Sequence, residues 1–270
     1  MKNKALLVGI NKYPDPRNEL RGCVNDILDM EHFITENSKV YQKENIKKIT
    51  DHEATKKGIV NQIKWLIEGA EPGDQLLFHY SGHGAQVPTL YETLEKDGLD
   101  EVICPYDFNG MDETILRDKD FARLFVGIPK GVHFIWISDS CHAEDLSRDP
   151  KMPLESQYRY FMGAKEVYHN AANHQKLDEA ANSMISSPIT TPLNGALLSA
   201  CASDELSADA FINNRYNGAF TYYLIKNLVE YGDSKPMDLI INLVNSDLAH
   251  NGYDQNPQTE GLLENRNFFL

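Results

Sequence analysis

The sequence predicts an α/β domain whose central sheet is mostly parallel, with helices on both faces. Three observations carry this reading. Short apolar runs end abruptly in turn residues, as strands buried on both faces do. The segments between them repeat apolar residues at helical spacing. The two kinds alternate, and strands separated by helices pair in parallel through right-handed crossovers.

Residues 5–10 (ALLVGI) form the first such run, closed by Asn11-Lys12-Tyr13-Pro14. Val24, Ile27, Leu28 and Glu31 through Ile34 continue at helical spacing, which predicts a helix over 23–36. Residues 45–50 (NIKKIT) read as a short strand. Ile59, Ile63, Leu66 and Ile67 share one face of a helix over 55–69. The run 75–80 (QLLFHY) lies between Pro72-Gly73-Asp74 and Ser81-Gly82 and reads as a buried strand. A short helix is expected at 120–126 and a strand at 132–138 (VHFIWIS). Periodicity fades from 144 to 194, a polar stretch with four prolines and one amphipathic segment near 164–184. A stretch of that length inside a domain reads as a functional insertion. A strand at 196–201, helices at 218–231 and 236–249, and a last strand at 267–270 (NFFL) complete the pattern. The expectation is one domain over 1–270, with an insertion at 144–194 and no prodomain.

Composition limits the function classes. Hydrophobic residues make up 41 % and charged residues 24 %, a globular mix. The net charge of −14 argues against coating nucleic acid or an anionic membrane. It suits a partner that carries Lys or Arg. The four cysteines, Cys23, Cys104, Cys141 and Cys201, form no CxxC pair, so a zinc ribbon is not expected. With no signal-like or ~20-residue apolar run, a cytoplasmic protein with reduced thiols is expected.

Two strand ends carry chemistry. One buried strand runs into Ser81-Gly82-His83-Gly84, and another delivers Asp139-Ser140-Cys141-His142. In open parallel sheets, active groups gather at the carboxyl ends of the strands. A thiol beside an imidazole is the requirement for nucleophilic thiol hydrolysis, because the imidazole favours the thiolate and can then protonate a leaving amine. The amides of Gly84 and Cys141 are placed to bind an oxyanion. Asp139 lies two residues before Cys141, so both side chains point to the same side of a strand.

The segments YSGHGAQ (80–86) and DSCHA (139–143) resemble the histidine and cysteine motifs of the caspase clan, and of metacaspases in particular. RGCVND (21–26), DGLDEVICPYDF (97–108), ALLSACASDELSAD (196–209), RYNGAFTYYL (215–224) and QNPQTEG (255–261) are similar to metacaspase segments in the same order. The resemblance spans nearly the whole chain apart from 144–194. It implies a caspase-like fold, a His83–Cys141 dyad, and an S1 pocket built from Asp139, Asp26 and Ser81. An acidic pocket selects a basic side chain, since burying any unpaired charge is costly. The implied reaction is therefore cysteine endopeptidase cleavage after Arg or Lys, on protein or peptide substrates.

Calcium is where the chain departs from the pattern. Asp100 and Asp118 match two of the four aspartates that hold calcium in many metacaspases. Arg117 and Arg148 stand where further aspartates are common. Calcium needs several carboxylate oxygens, and guanidinium groups repel it. No required cofactor is expected. Asp97, Asp100, Glu101, Asp118 and Asp120 read instead as a solvated acidic rim. His79 reads as a sheet residue, His142 as a bystander, and Cys23, Cys104 and Cys201 as small core residues, with Cys23 near the cleft. The insertion carries Arg148, Lys151, Arg159, Lys165 and Lys176. A basic loop beside such a cleft can be cut by the enzyme, plug its pocket, or be passive. The competing functions are a catalytically silent scaffold and an Asp-directed protease. A monomer, with a separate activator protein or complex, is the expected assembly.

Overall fold

The computed structural model describes residues 2–89, 98–142, 153, 155–161, 163–174, 193–261 and 266–270. Its centre is a six-stranded sheet of β1 (Lys4–Gly9), β2 (Ile46–Thr50), β3 (Gln75–Ser81), β7 (His133–Asp139), β9 (Ala196–Ser199) and β12 (Gln258–Gly261). The strand order is β12-β9-β7-β3-β1-β2. All neighbours are parallel except β12, which runs antiparallel to β9. The α/β, mostly parallel expectation is thus met.

The pleat explains why the runs are apolar throughout. In β1, Leu6 and Val8 enter one core while Ala5 and Leu7 enter the other. The first core holds α2 (Lys56–Ile67) and α3 (Asp118–Phe125), whose buried residues include Ile59, Ile63, Leu66, Phe121 and Phe125. The second holds α1 (Cys23–His32), α5 (Ala219–Tyr231) and α6 (Met237–His250). Another helix, α4, spans Ala164–His174. A five-residue wider turn, Phe33–Asn37, extends α1, so the helical span expected over 23–36 is kept with a change of hydrogen bonding at its end. Among the described residues, no helix is long and apolar enough to cross a membrane.

Two small antiparallel sheets were not foreseen. One is β4 (Gly84–Pro88), β5 (Leu99–Ile103) and β6 (Leu116–Arg117), which follows directly on the His83 turn. The other joins β8 (Gln157–Tyr158), β10 (Ala208–Ile212) and β11 (Arg215–Gly218). The strand expected at 267–270 is not formed. Those residues make one isolated bridge, Asn267 to Pro236, and the Phe268 and Phe269 rings sink into the second core. Their apolarity serves packing and not a ladder.

Phe78, Phe121, Phe125 and Trp136 form an aromatic cluster under β3 and β7, with centroids 4.6–6.1 Å apart. Truncating a fully buried ring leaves a cavity that its neighbours fill only in part. Phe121→Ala is therefore expected to cost about 3–5 kcal/mol, read as a lowered urea midpoint with an unchanged m-value.

Candidate active site

The site forms where β3 and β7 end together. Ser81 pairs with Asp139 at the last position of the ladder. His83 and Cys141 each follow two residues later, so the two strands bring them to the same rim. His83 is buried, and its Nε2 lies 2.8 Å from the Asn18 carbonyl oxygen. A carbonyl only accepts, so Nε2 carries the hydrogen and the neutral ring keeps Nδ1 free to accept a proton. Nδ1 is buried and makes no hydrogen bond. Burial pushes the His83 pKa down to about 4, with the bond to Asn18 acting the other way. The backbone amide of His83 donates to the Tyr13 hydroxyl at 2.9 Å, fixing the turn from below.

Cys141 is buried, and its Sγ rests on the Ser207 main chain, 2.6 Å from the amide and 3.1 Å from the carbonyl. Its own amide donates to the Arg159 carbonyl at 3.2 Å, and the Gly84 amide donates to the same oxygen at 3.0 Å. Two converging amides are the arrangement that can hold an oxyanion. Gly84 is required by close approach: a Cβ there would meet the Cys141 carbonyl oxygen at 2.2 Å.

The residues assigned to the pocket, Asp26, Ser81 and Asp139, do converge, and the pocket is filled. Its occupant is Arg159 of the same chain, a fully buried side chain. Nη2 lies 2.7 Å from Asp26 and 2.9 Å from Asp209, and Nη1 lies 3.2 Å from Asp139 and 2.6 Å from Ser81 Oγ. The acids are held in turn. Asp26, in the first turn of α1, accepts from Ser81 Oγ, Asn217 Nδ2 and the Gly218 amide. Burial pushes its pKa up to about 6, with Arg159 acting the other way and Asp139 adding to the rise. Asp139 accepts from Ser207 Oγ at 2.8 Å and from Thr221 Oγ1 at 2.6 Å. Asp209 accepts from the amides of Arg21 and Gly22. His79, expected to be a plain sheet residue, stands behind this wall with Nε2 3.4 Å from Thr221 Oγ1. Cys23 also lies close to the pocket charges, and its burial holds the thiol protonated.

Arg159 lies inside an extended segment. Gln157 and Tyr158 pair antiparallel with Asp209 and Ala208 of β10. The Arg159 amide donates to Ser207 O at 3.0 Å. Beyond it, Tyr160 bridges Gly84, and the Phe161 amide donates to Gly84 O at 2.9 Å. The Arg159–Tyr160 peptide is thereby bracketed by the main chain of Gly84.

A sequence model of the metacaspase, peptidase C14 domain matches residues 3–148. The chain belongs to the metacaspase family. Two curated relatives are Metacaspase-1 of Candida albicans and Metacaspase-1 of Pyricularia oryzae, 31 % and 32 % identical to it. Each alignment takes in 95 % of this chain, and 64 % and 71 % of those proteins respectively. The chain thus spans about two thirds of their length. A crystal structure of a Geobacter sulfurreducens protein has the same fold, with a TM-score of 0.75 at 23 % identity, covering 100 % of this chain and 99 % of that one.

The calcium candidates fare differently from the pocket acids. Asp100 is fully buried and is not part of a solvated rim, which corrects that expectation. One of its oxygens takes Arg117 Nη1 at 2.8 Å and the other takes Lys119 Nζ. Asp118 is half exposed, and among the described residues its ion pair is with Lys119, at 3.4 Å. A carboxylate already neutralised by two cations does not fit a calcium ion. Arg148, Asp97, Lys151 and Lys176 lie outside the described residues.

Sequence reasoning missed Asp209, Ser207, Thr221 and Asn18. Asp209 and Ser207 alternate within SAD (207–209), a signal for a strand edge with two polar residues on one face. Asn18 acts through its backbone, which no side-chain pattern reveals.

Arg159→Met removes the cation and leaves three buried carboxylates. Breaking such a cluster is expected to cost about 3–5 kcal/mol, seen as a fall in Tm. A small guanidinium ligand such as agmatine should restore Tm in the variant and leave the wild type unchanged.

Proposed function

We propose that this metacaspase is a cysteine endopeptidase that cuts after Arg, and after Lys less well. The single observation that carries the reading is the seat of Arg159: a guanidinium in the acid pocket, with its carbonyl oxygen on the amides of Gly84 and Cys141. Arg fits this pocket better than Lys because its fork reaches three carboxylates at once, whereas an ammonium is a point charge on a flexible stem. An Asp side chain would face three like charges, which argues against an Asp-directed enzyme.

The chemistry follows from the residues. The Cys141 thiol gives its proton to His83 Nδ1, and the sulfur attacks the carbonyl carbon of the basic residue. The carbonyl oxygen takes negative charge between the two amides. Collapse breaks the C–N bond, and His83 returns the proton to the departing amine. Water then adds to the thioester and releases the carboxylate, and the thiol is restored. In the occupied cleft His83 is buried and neutral, the form that accepts a proton from the thiol. Departure of the 157–161 segment would hydrate the imidazole and raise its pKa toward the ordinary value.

The first substrate on this reading is the chain itself, at Arg159–Tyr160. Intact-mass measurement should find wild-type chains split at that bond and Cys141→Ala chains whole. Whole chains in both would refute self-cleavage.

We also propose that calcium is not needed, on the strength of Arg117 and Lys119 at Asp100. A P1 peptide library should give Arg above Lys with Asp uncut, and rates equal within about twofold in calcium and in chelator. No turnover of any peptide by folded protein would return the scaffold reading.

A further inference from the structure

The pocket acids read the residue before the cut bond, and nothing so far assigns a reader of the residues after it. The chain's own segment supplies one. Phe161 stands two residues past the Arg159 carbonyl and is 7 % exposed. Its ring meets Phe108 at 4.8 Å and 64°, His83 at 5.8 Å and 81°, and Tyr13 at 6.0 Å and 75°. All three are edge-on contacts, the geometry that aromatic quadrupoles prefer.

The walls are held by contacts that do not involve the guest. The Tyr13 hydroxyl accepts from the His83 amide and donates to the Cys104 carbonyl at 3.3 Å, so the ring cannot turn away. Phe108 is itself buried. A cavity of about 430 Å³ adjoins the ring, with Tyr13, Pro14, Asn18 and Phe108 on one side and Phe161, Gly163 and Val167 of the guest's own stretch on the other.

The main chain holds its occupant in register. The Gly84 amide binds the carbonyl before the scissile bond, and the Gly84 carbonyl binds the amide of the second residue after it. One glycine thus fixes the distance between the cut bond and the aromatic pocket.

We infer that the cleft selects substrates on both sides of the cut, taking an aromatic side chain at the second position after the bond (P2′) into the Tyr13–Phe108–His83 pocket. The inference rests on the protease reading and adds a second specificity determinant to it.

The test uses the unaltered chain. Internally quenched peptides share one sequence with Arg at P1 and glycine at P1′, and differ only at P2′: Phe, Tyr, Leu, Ala or Asp. Burying a ring in place of a methyl group is expected to raise kcat/KM on the order of tenfold for Phe or Tyr over Ala, with Asp below Ala. Phe108→Ala should collapse the Phe-to-Ala ratio toward one, and the P2′ Ala peptide reports whether that variant still folds and cuts. Equal rates across P2′, with Arg still demanded at P1, would overturn this inference and leave the protease reading standing. No cleavage of any peptide would overturn both. A ratio unchanged in Phe108→Ala would also overturn the pocket assigned here.

Discussion

A guanidinium buried among three carboxylates is the interaction on which this end of the molecule depends. Each charge alone would be costly to remove from water, and a carboxylate cluster without a cation more so. Together, and with Ser81, Ser207, Thr221, Asn217 and backbone amides as donors, they form one hydrogen-bonded network, in which Arg159 Nε is left without a partner among the described residues. Its members come from α1, β3, β7, β10, β11 and α5, so one side chain ties together elements far apart in sequence. Gly218 shows how closely the network is packed, since a Cβ there would meet Asp139 Oδ2 at 2.2 Å and Arg159 Nη1 at 2.6 Å.

The same geometry explains why the occupant resembles a guest more than a piece of core. Its contacts are those a strand makes with an edge: alternate amide and carbonyl bonds to Ser207, Cys141 and Gly84, continuous with pairing to β10. Main-chain recognition of this kind is indifferent to side chains and leaves selectivity to the pockets. The parallel sheet supplies the rest. Because Ser81 and Asp139 are paired, the turns that follow carry the imidazole and the thiol forward by equal lengths to one rim.

A second charged knot, at Asp100, contrasts with the first. Arg117 and Lys119 are both fixed parts of the chain, lying on β6 and at the start of α3, two elements that adjoin. Here the cations are local, and they occupy both oxygens of Asp100. In the pocket the cation comes from the 157–161 segment, held by an extended strand. A carboxylate cluster is filled in both places, but only one filling resembles a substrate.

Much was legible in the chain itself. The alternation of apolar runs and helical repeats determined a parallel sheet flanked by helices, because a run apolar at every position must be covered on both faces. Strand ends carrying SGHG and DSC brought His83 and Cys141 to one rim, and spacing within DSC placed the acid on the thiol's side. The pattern failed where burial came from pairing and not from periodicity. Residues 267–270 are apolar enough for a strand but pack as two rings, and β8, β10 and β11 are short, with polar or glycine residues that hide their ladders. Asp100 looked solvated because sequence shows charge and not cover. What only the tertiary structure decided was the identity of the cation: five basic residues stood in the insertion, equivalent in composition, and the choice of Arg159 depended on which one a strand paired to β10 could deliver to three acids at once. That is a matter of reach and direction in space, and a linear pattern carries neither.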